Sequence, residues 1–473
     1  MIQNRTLAKN TLIQITGKAL STLLGLVAVA ILTRRLGTEQ FGWYVTATGF
    51  LQFIGIIIDF GFTVTTSNLL AEPAFDKNRL FNTLFTWRFF SALVCFVLAP
   101  LIFIFFPYRI EIKLAVAITS LSFFANTLNQ VFIGYYRQKL SMYIATASEV
   151  LGRVLLVTGF AMFSVLNAGF LTLMSAITVA SVISSLYLIK NYGKLSFSFD
   201  PVISRAIFKK MLPTAVSVIF NTIYLQADRV ILPLYVSQSE VGLYGAAYRV
   251  LDITTQISAI IMGLVMPLIT FAWSRRLTDE FKQKYQLALD MTALVLFPMI
   301  AGIFVLSDPI MRLIASSSFT GSGIMLKSLS ISIFGTVFGM TFGHIVLAID
   351  RQKEALLVYG SDAMLSLTGY LIFIPQYGWR GAVLVTVFSE IYAGLFLWLL
   401  AVVYSGVIPK FSSVGKIAVA SLTMATVLSW LNLSIIPSIL AGAAIYSLAA
   451  FVLGIIKPGT IRGLFKSDQI AIE

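Results

Sequence analysis

Residues 212–252 read LPTAVSVIFNTIYLQADRVILPLYVSQSEVGLYGAAYRVLD. This pattern predicts two apolar helices joined by a short polar turn. Four charged residues fall inside the helices rather than at their ends: Asp228, Arg229, Arg249 and Asp252. An ionisable side chain at membrane depth is costly, so by default it marks a cavity or a pathway. We interpret the stretch as one wall of a cavity that the rest of the chain builds and duplicates.

The composition around this stretch is that of a polytopic all-α membrane protein. Of the 473 residues, 58% are hydrophobic and 11% are charged, whereas a soluble protein carries about 25% charged residues. Apolar runs long enough to cross a bilayer recur along nearly the whole chain. About 14 spans are predicted, at roughly 8–32, 43–70, 81–106, 110–136, 144–166, 168–189, 210–236, 242–272, 286–306, 324–349, 355–374, 380–404, 414–432 and 435–456.

Several function classes are excluded by residue content. The chain has one cysteine, Cys95, and one histidine, His344, too few for a disulfide framework or a cysteine-built zinc site. No GxxxxGK[ST] phosphate loop occurs, so the chain carries no ATPase of its own. We expect a transporter rather than an enzyme, without a cofactor or metal site. Coupling to protons or sodium is left open.

The net charge of +14 follows from membrane topology rather than from a nucleic-acid partner. Loops on one side of the predicted spans hold about three times as many Lys and Arg residues as loops on the other side. The positive-inside rule therefore places both termini in the cytoplasm. Arg34 and Arg35 run against this bias.

The longest connection, 190–209, divides the spans into two blocks. The boundaries are a first block 1–190 with spans 1–6, a cytoplasmic linker 191–209, a second block 210–405 with spans 7–12, an extra helix pair 406–456 and a cytoplasmic basic tail 457–473. Gly42-Trp43-Tyr44 in the first block is repeated by Gly242-Leu243-Tyr244 in the second, 200 residues later. Duplicated blocks are a usual transporter architecture, with the substrate site at the interface between the repeats.

The first block contains buried cations and carboxylates at helical spacing. Lys18 lies near mid-bilayer in a polar stripe of the first span and faces a cavity or snorkels to the interface. Asp59 in the second span is either a partner for Lys18 or a coupling-ion site. Arg88 in the third span is a further cation, with snorkelling as its alternative. Glu149 and Arg153 have the favourable i,i+4 order in the fifth span. They either neutralise each other at a protein interface or take part in the cavity.

Amides in the same block form a candidate sugar surface. Asn126 and Asn129 lie on a polar face of the fourth span, which is suited to hydrogen-bonding sugar hydroxyls or a neighbouring helix. Gln226 in the seventh span is a third candidate.

In the second block, Arg229 and Arg249 belong to adjacent antiparallel helices. Such a pair of arginines can bind a di-anion. Alternatively, these arginines bridge to Asp252 and Asp228 respectively. Glu390 is an intramembrane carboxylate and a coupling candidate. The buried cations of the two blocks outnumber the carboxylates that could neutralise them. We therefore predict an anionic cargo, bound by Lys18, Arg88, Arg153, Arg229 and Arg249.

Two segments carry a family resemblance. NTLIQITGKALSTLLGLVAVAILTRRLGTEQFGWYVTATGFLQFIGIIIDFG, beginning at Asn10, resembles the opening of the Wzx-type polysaccharide flippases. LQADRVILPLYVSQSEVGLYGAAYRVLD resembles their seventh and eighth spans. These proteins form the polysaccharide branch of the multidrug/oligosaccharidyl-lipid/polysaccharide exporter superfamily.

The resemblance implies two pseudo-symmetric six-helix lobes in a V shape, plus a C-terminal helix pair. It implies transfer of an undecaprenyl-diphosphate-linked oligosaccharide across the cytoplasmic (inner) membrane by alternating access, for O-antigen, capsule or exopolysaccharide biosynthesis. Partners would be the lipid-linked cargo, membrane lipids and a polysaccharide polymerase complex. By position, Lys18 and Arg249 match places where related flippases put arginines, although lysine gives a point charge rather than a fork.

Two other functions compete with this interpretation. A cation-coupled small-molecule or drug exporter of the same superfamily would be expected to rely on carboxylates rather than on a cation-rich cavity. A membrane-embedded glycosyltransferase or ligase would need a catalytic acid cluster at an interface and usually a large external loop, whereas the predicted external loops are short.

Overall fold

The computed structural model describes residues 2–71, 75–431 and 433–455. Over these ranges the regular structure is α-helical apart from one 3-10 turn, Ser317–Phe319, which confirms the predicted all-α class. The predicted basic tail, 457–473, lies outside the described residues. The helices are α1 (Ile2–Asp59), α2 (Phe62–Ala71), α3 (Lys77–Phe103), α4 (Ile110–Gln138), α5 (Met142–Val165), α6 (Phe170–Tyr192), α7 (Pro201–Tyr235), α8 (Gln238–Ser274), α9 (Thr278–Ile314), α10 (Ser322–Ala348), α11 (Gln352–Tyr377), α12 (Trp379–Ser405), α13 (Ser412–Trp430) and α14 (Ile435–Val452).

Thirteen helices among the described residues are long and apolar enough to cross a membrane. The first of them, Thr16–Asp59, has 44 residues, whereas about 20 helical residues cross the hydrocarbon core. Within α1, the backbone at Gly37 is non-helical (φ 66°, ψ −174°) and separates two helices. Glycine tolerates this positive φ because it lacks a Cβ. The first helix of this group therefore supplies two of the roughly 14 predicted spans.

The predicted second span, 43–70, is not continuous. The chain leaves the helix at Phe60 and Gly61, whose φ angles are 45° and 76°, and α2 begins at Phe62. The Asp59 carboxylate then accepts hydrogen bonds from the Thr63 amide and hydroxyl, which caps the new helix. A break here was not predicted, because Asp59 and Gly61 were included in one apolar run.

The connection between α6 and α7 is shorter than the predicted linker. Residues 193–200 lack regular structure, and α7 begins at Pro201. The Asp200 side chain accepts hydrogen bonds from the amides of Val202 and Ile203, and proline is favoured at the first helical position because it has no amide to satisfy. Residues 201–209 are therefore the first turns of α7.

Backbone packing divides the chain into two compact units. The first comprises Met1–Gly245, Ile314–Phe319 and Tyr359–Ala382. One of its core clusters is rich in aromatic residues and includes Phe81, Phe85 and Phe132. In this unit α7 packs against α1 and α2. The boundaries of the two predicted lobes stay a prediction.

The second unit comprises Ala246–Leu313, Thr320–Val358 and Val383–Glu473. Here the extra helix pair packs on α9, because Leu306 forms an apolar cluster with Met424 and Leu428. The Tyr446 hydroxyl donates to the Leu294 carbonyl over 2.8 Å. These contacts anchor α13 and α14 to the unit.

Within the first unit, the two copies of the predicted repeat touch each other. A Cβ on Gly42 would overlap the backbone of Gln238, and a Cβ on Gly242 would overlap the backbone of Thr38. Gly42 and Gly242 are equivalent positions of the two copies, and so are Thr38 and Gln238. The glycine of each copy therefore meets the same position of the other copy. The Ser239 hydroxyl also bonds to the Thr38 hydroxyl over 2.7 Å. The repeat is thus a reciprocal helix crossing that only residues without a side chain permit.

Candidate functional site

The site begins with a seam of polar residues between α1 and α5 of the first unit. The Lys18 ammonium contacts the Glu149 carboxylate at 3.1 Å, and both side chains are about two-fifths exposed, at 42% and 40%. Two turns further along α1, the Arg153 guanidinium lies beside Gly25. We call Lys18, Glu149 and Arg153 the α1–α5 seam. It holds two cations and one carboxylate.

The pairing in the seam corrects two predictions. Lys18 pairs with Glu149 and not with Asp59. Glu149 therefore does not neutralise Arg153 on its own helix, and within the described residues Arg153 forms no ion pair. Arg153 is exposed. The physical reason is that α1 packs closely on α5. Glu149 therefore contacts Lys18 on the neighbouring helix rather than Arg153 on its own helix.

Asp59 is instead engaged by Arg88, at 2.6 Å. The Arg88 side chain is only 2% exposed, and its guanidinium also donates to the carbonyls of Ile58 and Thr127. Its charge lies 5.2 Å from the centre of the Phe62 ring. Arg88 therefore neither snorkels nor lines an open surface in this structure. It ties the broken end of α1 to α3 and α4.

The predicted sugar-contacting amides of α4 divide into two cases. Asn126 is exposed and its amide reaches the Ser181 hydroxyl at 3.5 Å, a long contact. Asn129 is 7% exposed, and its side-chain oxygen has no hydrogen-bond partner among the described residues. Ser122 bonds to Ser181 at 2.7 Å. Part of this face therefore serves helix–helix packing, which was the alternative interpretation. Of the two predicted amides, Asn126 is the one that presents a substantial surface.

A buried carboxylate lies in α7 of the same unit. Asp228 is 0% exposed and accepts a hydrogen bond from the Tyr244 hydroxyl at 2.7 Å. The neighbouring Arg229 and Gln226 are half-buried. Tyr244 was not predicted as a site residue. Its position could have indicated it, because Tyr244 is the last residue of the repeated segment Gly242-Leu243-Tyr244. Its hydroxyl bonds to one oxygen of this carboxylate, Oδ2, and so offsets part of the cost of burying it.

In the second unit, Arg249 and Asp252 form a pair on one helix. Their closest charged atoms are 3.6 Å apart, and each side chain is 31% exposed. The predicted bridges from these residues to Asp228 and Arg229 stay predictions. Glu390 in α12 is half-buried, and its backbone lies against Gly335 of α10. Among the described residues, no group of three or more His, Cys, Asp and Glu side chains comes together as it would to hold a metal ion.

Comparison with known proteins places this geometry in a family. Residues 7–273 match the family described as polysaccharide biosynthesis protein, which is more than half of the chain. The chain belongs to the polysaccharide biosynthesis protein family. This match runs from the first turns of α1 to the last turn of α8, and it confirms the family resemblance predicted from the sequence.

Two curated relatives are named as transport proteins. One is the succinoglycan biosynthesis transport protein ExoT of Rhizobium meliloti, 24% identical over 338 residues, which are 70% of this chain and 67% of the relative. The other is the probable low-salt glycan biosynthesis flippase Agl15 of Haloferax volcanii, 22% identical over 419 residues and 85% of each chain. Both names agree with the expectation of a transporter rather than an enzyme.

Solved structures share the fold. A structure of the lipid II flippase MurJ in an inward closed conformation aligns with a TM-score of 0.78 and 16% identity, over 96% of this chain and 100% of that one. An inward-facing multidrug resistance MATE family transporter aligns with a TM-score of 0.68 and 18% identity, over 82% and 94%. At these identities the likeness establishes the helical fold.

Proposed function

We propose that this protein is a flippase that moves an undecaprenyl-diphosphate-linked oligosaccharide between the leaflets of the cytoplasmic membrane by alternating access. The α1–α5 seam is the observation that carries the proposal. It places Lys18 and Arg153 within two turns of each other, with Glu149 as their one acidic neighbour in the seam. A diphosphate supplies the negative charge that such a seam lacks.

The pairing in the seam suits reversible binding. Lys18 and Glu149 are both about two-fifths exposed, and in this proposal they face a cavity that water enters, where an ion pair is worth only about 0.2–1 kcal/mol. An arriving diphosphate can therefore displace Glu149 from Lys18 at little cost. Arg153 adds a planar fork that can bind a phosphate through two hydrogen bonds. When the cargo leaves, Glu149 pairs with Lys18 again.

The other predicted residues take different parts in the proposal. Arg249, loosely held by Asp252, and Arg229 provide further cations along the path of the diphosphate. Asn126 and Gln226 contact sugar. Arg88 contributes by holding the end of α1 through Asp59, because breaking so buried a pair would cost several kcal/mol. We propose no direct contact of Arg88 with cargo.

The test is a leaflet-accessibility assay in proteoliposomes with a fluorescent lipid-diphosphate oligosaccharide. Liposomes with the wild-type protein should expose the labelled sugar to an added periodate or lectin faster than empty liposomes do. The same lipid with a neutral linkage in place of the diphosphate should move no faster than in empty liposomes. Equal rates for the two lipids would contradict a diphosphate-directed site.

A cation-coupled small-molecule exporter is the second candidate. The likeness to MATE structures and the buried carboxylate Asp228 favour it, since such exporters would be expected to rely on carboxylates. Efflux of a cationic dye from the same proteoliposomes under a proton or sodium gradient distinguishes the two. Dye efflux that is lost in Asp228→Asn and unaffected by lipid diphosphate would support the exporter.

The cellular role follows from the cargo in this proposal. A lipid-linked oligosaccharide delivered to the outer leaflet feeds the assembly of O-antigen, capsule or exopolysaccharide. A polymerase complex on the receiving side would be the partner. The predicted orientation, with both termini in the cytoplasm, belongs to the same proposal.

A further inference from the structure

Residues 193–212 form a second surface that the transport proposal does not use. We call them the interfacial strap. They include the extended segment 194–200, which reads KLSFSFD, and the first turns of α7. Serine and phenylalanine alternate in this part, and residues of both kinds contact α3.

The serine side of the strap is fastened to α3. Ser196 accepts a hydrogen bond from the Asn82 amide at 2.8 Å, and the Ser198 backbone amide donates to the Thr86 hydroxyl at 2.9 Å. Further contacts extend this row, with Arg79 paired to Asp200 and the Trp87 indole donating to Ser204. Because these side chains lie on successive turns of α3, the strap is held in one place along that helix.

The phenylalanine side combines packing with exposure. Phe197 contacts the rings of Phe89 and Phe90, with centroids 5.2 and 5.9 Å away, and Phe199 contacts the Trp87 ring at 5.7 Å. Even so, Phe197 is 58% exposed and Phe199 is 59% exposed. Exposed phenylalanine rings next to basic residues are suited to the boundary between the headgroups and the acyl chains.

The first turns of α7 continue the same surface. Ile203 and Ile207 point inward and are 2% and 0% exposed, whereas Val202 and Leu212 are 70% and 61% exposed. The outward apolar side chains share their face with exposed cations, Arg205 and Lys209, at spacings of three and four residues. A helix face of this composition lies in the headgroup layer, with apolar side chains in the acyl region and cations at the phosphates.

The charge of the strap and its flank is one-sided. Residues 190–212 contain five basic residues, Lys190, Lys194, Arg205, Lys209 and Lys210, and one acidic residue. That acid, Asp200, is 5% exposed and already paired with Arg79. A cluster of four or more cations next to a membrane span binds anionic headgroups.

We propose that the interfacial strap is a binding surface for anionic phospholipid, fastened to α3 on one side and inserted into the headgroup layer on the other. The lipid binds through phosphate contacts with Arg205 and Lys209, while Phe197, Phe199 and Val202 pack against its acyl chains. This surface is separate from the α1–α5 seam and does not depend on the identity of the cargo.

The experiment places a nitroxide at Val202→Cys in a Cys95→Ala background of the full chain. The protein is reconstituted in nanodiscs of phosphatidylcholine alone or with phosphatidylglycerol up to 30 mol%, roughly the anionic range in which such clusters act. Collision with oxygen, relative to collision with a water-soluble nickel chelate, reports how deeply the label lies. We expect deeper immersion with phosphatidylglycerol. Lys209→Gln should raise about fivefold the anionic fraction needed for the half-maximal change.

A matched pair of variants separates local charge from net charge. In Arg205→Gln/Lys209→Gln the label should lie as deep with phosphatidylglycerol as it does in discs of phosphatidylcholine alone. Arg275→Gln/Arg276→Gln removes the same charge from the exposed turn after α8 and should behave as the parent protein. Equal immersion in both kinds of disc would overturn the proposal. So would a label that responds only to added polyglutamate, because that result would assign the surface to an acidic protein.

Discussion

The two ion pairs of the first unit have opposite surroundings. Arg88 is 2% exposed and donates to two carbonyls besides Asp59, whereas Lys18 and Glu149 are both about two-fifths exposed. A buried pair is costly to break because one charge is then left without a partner, and an exposed pair costs little. Within one unit the first pair therefore holds structure and the second can exchange partners.

Removing Arg88 should destabilise the protein. Arg88→Ala leaves Asp59 and two carbonyls without their donor, and we expect a loss of about 3 kcal/mol in the free energy of unfolding. Thermal unfolding in detergent measures it, with Arg275→Ala as the exposed control that should change stability by less than about 0.5 kcal/mol. Equal stability of Arg88→Ala and the wild type would refute the structural role.

Removing Glu149 should strengthen anion binding. Glu149→Gln deletes the resident competitor of the diphosphate for Lys18 without changing side-chain size. The affinity for a lipid diphosphate in detergent should rise about two- to fivefold, the range expected for opening an exposed pair. Unchanged or weaker binding in this variant would show that Glu149 does not compete for Lys18.

The residues of the seam were predictable, but their pairing was not. Depth in an apolar run singles out Lys18, and charge at helical spacing singles out Glu149 and Arg153, without any structure. Sequence spacing reports only neighbours on the same helix, and so it paired Glu149 with Arg153. The observed partners Lys18 and Glu149 are 131 residues apart, and only the packing of α1 on α5 brings them together.

At the scale of elements, the crossing of the two repeats depends on two glycines. A Cβ on Gly42 would overlap the backbone of the second repeat, and a Cβ on Gly242 would overlap the backbone of the first. Gly42 and Gly242 occupy equivalent positions, so the contact is reciprocal. A three-residue match in the sequence indicated this duplication, but it did not indicate that the copies touch.

A side chain at this crossing should loosen the first unit. Gly42→Ala must displace the Gln238 backbone, and overpacking of this kind costs about 1–3 kcal/mol. The control is Gly263→Ala in α8, where a Cβ would meet no atom within 4 Å and where alanine should be neutral or stabilise by up to about 1 kcal/mol. Thermal unfolding of both variants gives the comparison. If the two variants unfold alike, the crossing is not tightly packed.

Element boundaries were predictable where a composition change marks them. The apolar runs located the spans, and Pro201 after Asp200 is a helix-start signal that the linker prediction overlooked. The break at Phe60 is marked only by Gly61, a weak signal because an isolated glycine also occurs inside continuous helices. It is stabilised by Asp59 capping α2 and by Arg88 donating to the Ile58 carbonyl, which are contacts that a single sequence does not display.

At the scale of the whole molecule, orientation is open to a direct test. Cys95 is the single cysteine of the chain, so a Cys95→Ala background accepts one new cysteine at a time. Lys194→Cys should react only with a membrane-permeant maleimide in intact cells, and Leu166→Cys should react with an impermeant one. This pattern follows from the bias of Lys and Arg toward cytoplasmic loops. The reverse labelling pattern would invert the predicted topology.

The central claim is that the surplus cation of the α1–α5 seam carries the diphosphate. Flipping of a lipid-diphosphate oligosaccharide in proteoliposomes tests it with three variants. Lys18→Gln removes the surplus positive charge of the seam, and Glu149→Gln increases it. The double variant Lys18→Gln/Glu149→Gln has the same surplus as the wild type, with Arg153 as the remaining cation. We predict a loss of about tenfold or more in Lys18→Gln, which corresponds to about 1.4 kcal/mol, and recovery of most of the rate in the double variant. A double variant as slow as Lys18→Gln, or a Lys18→Gln protein that flips at the wild-type rate, would contradict the claim.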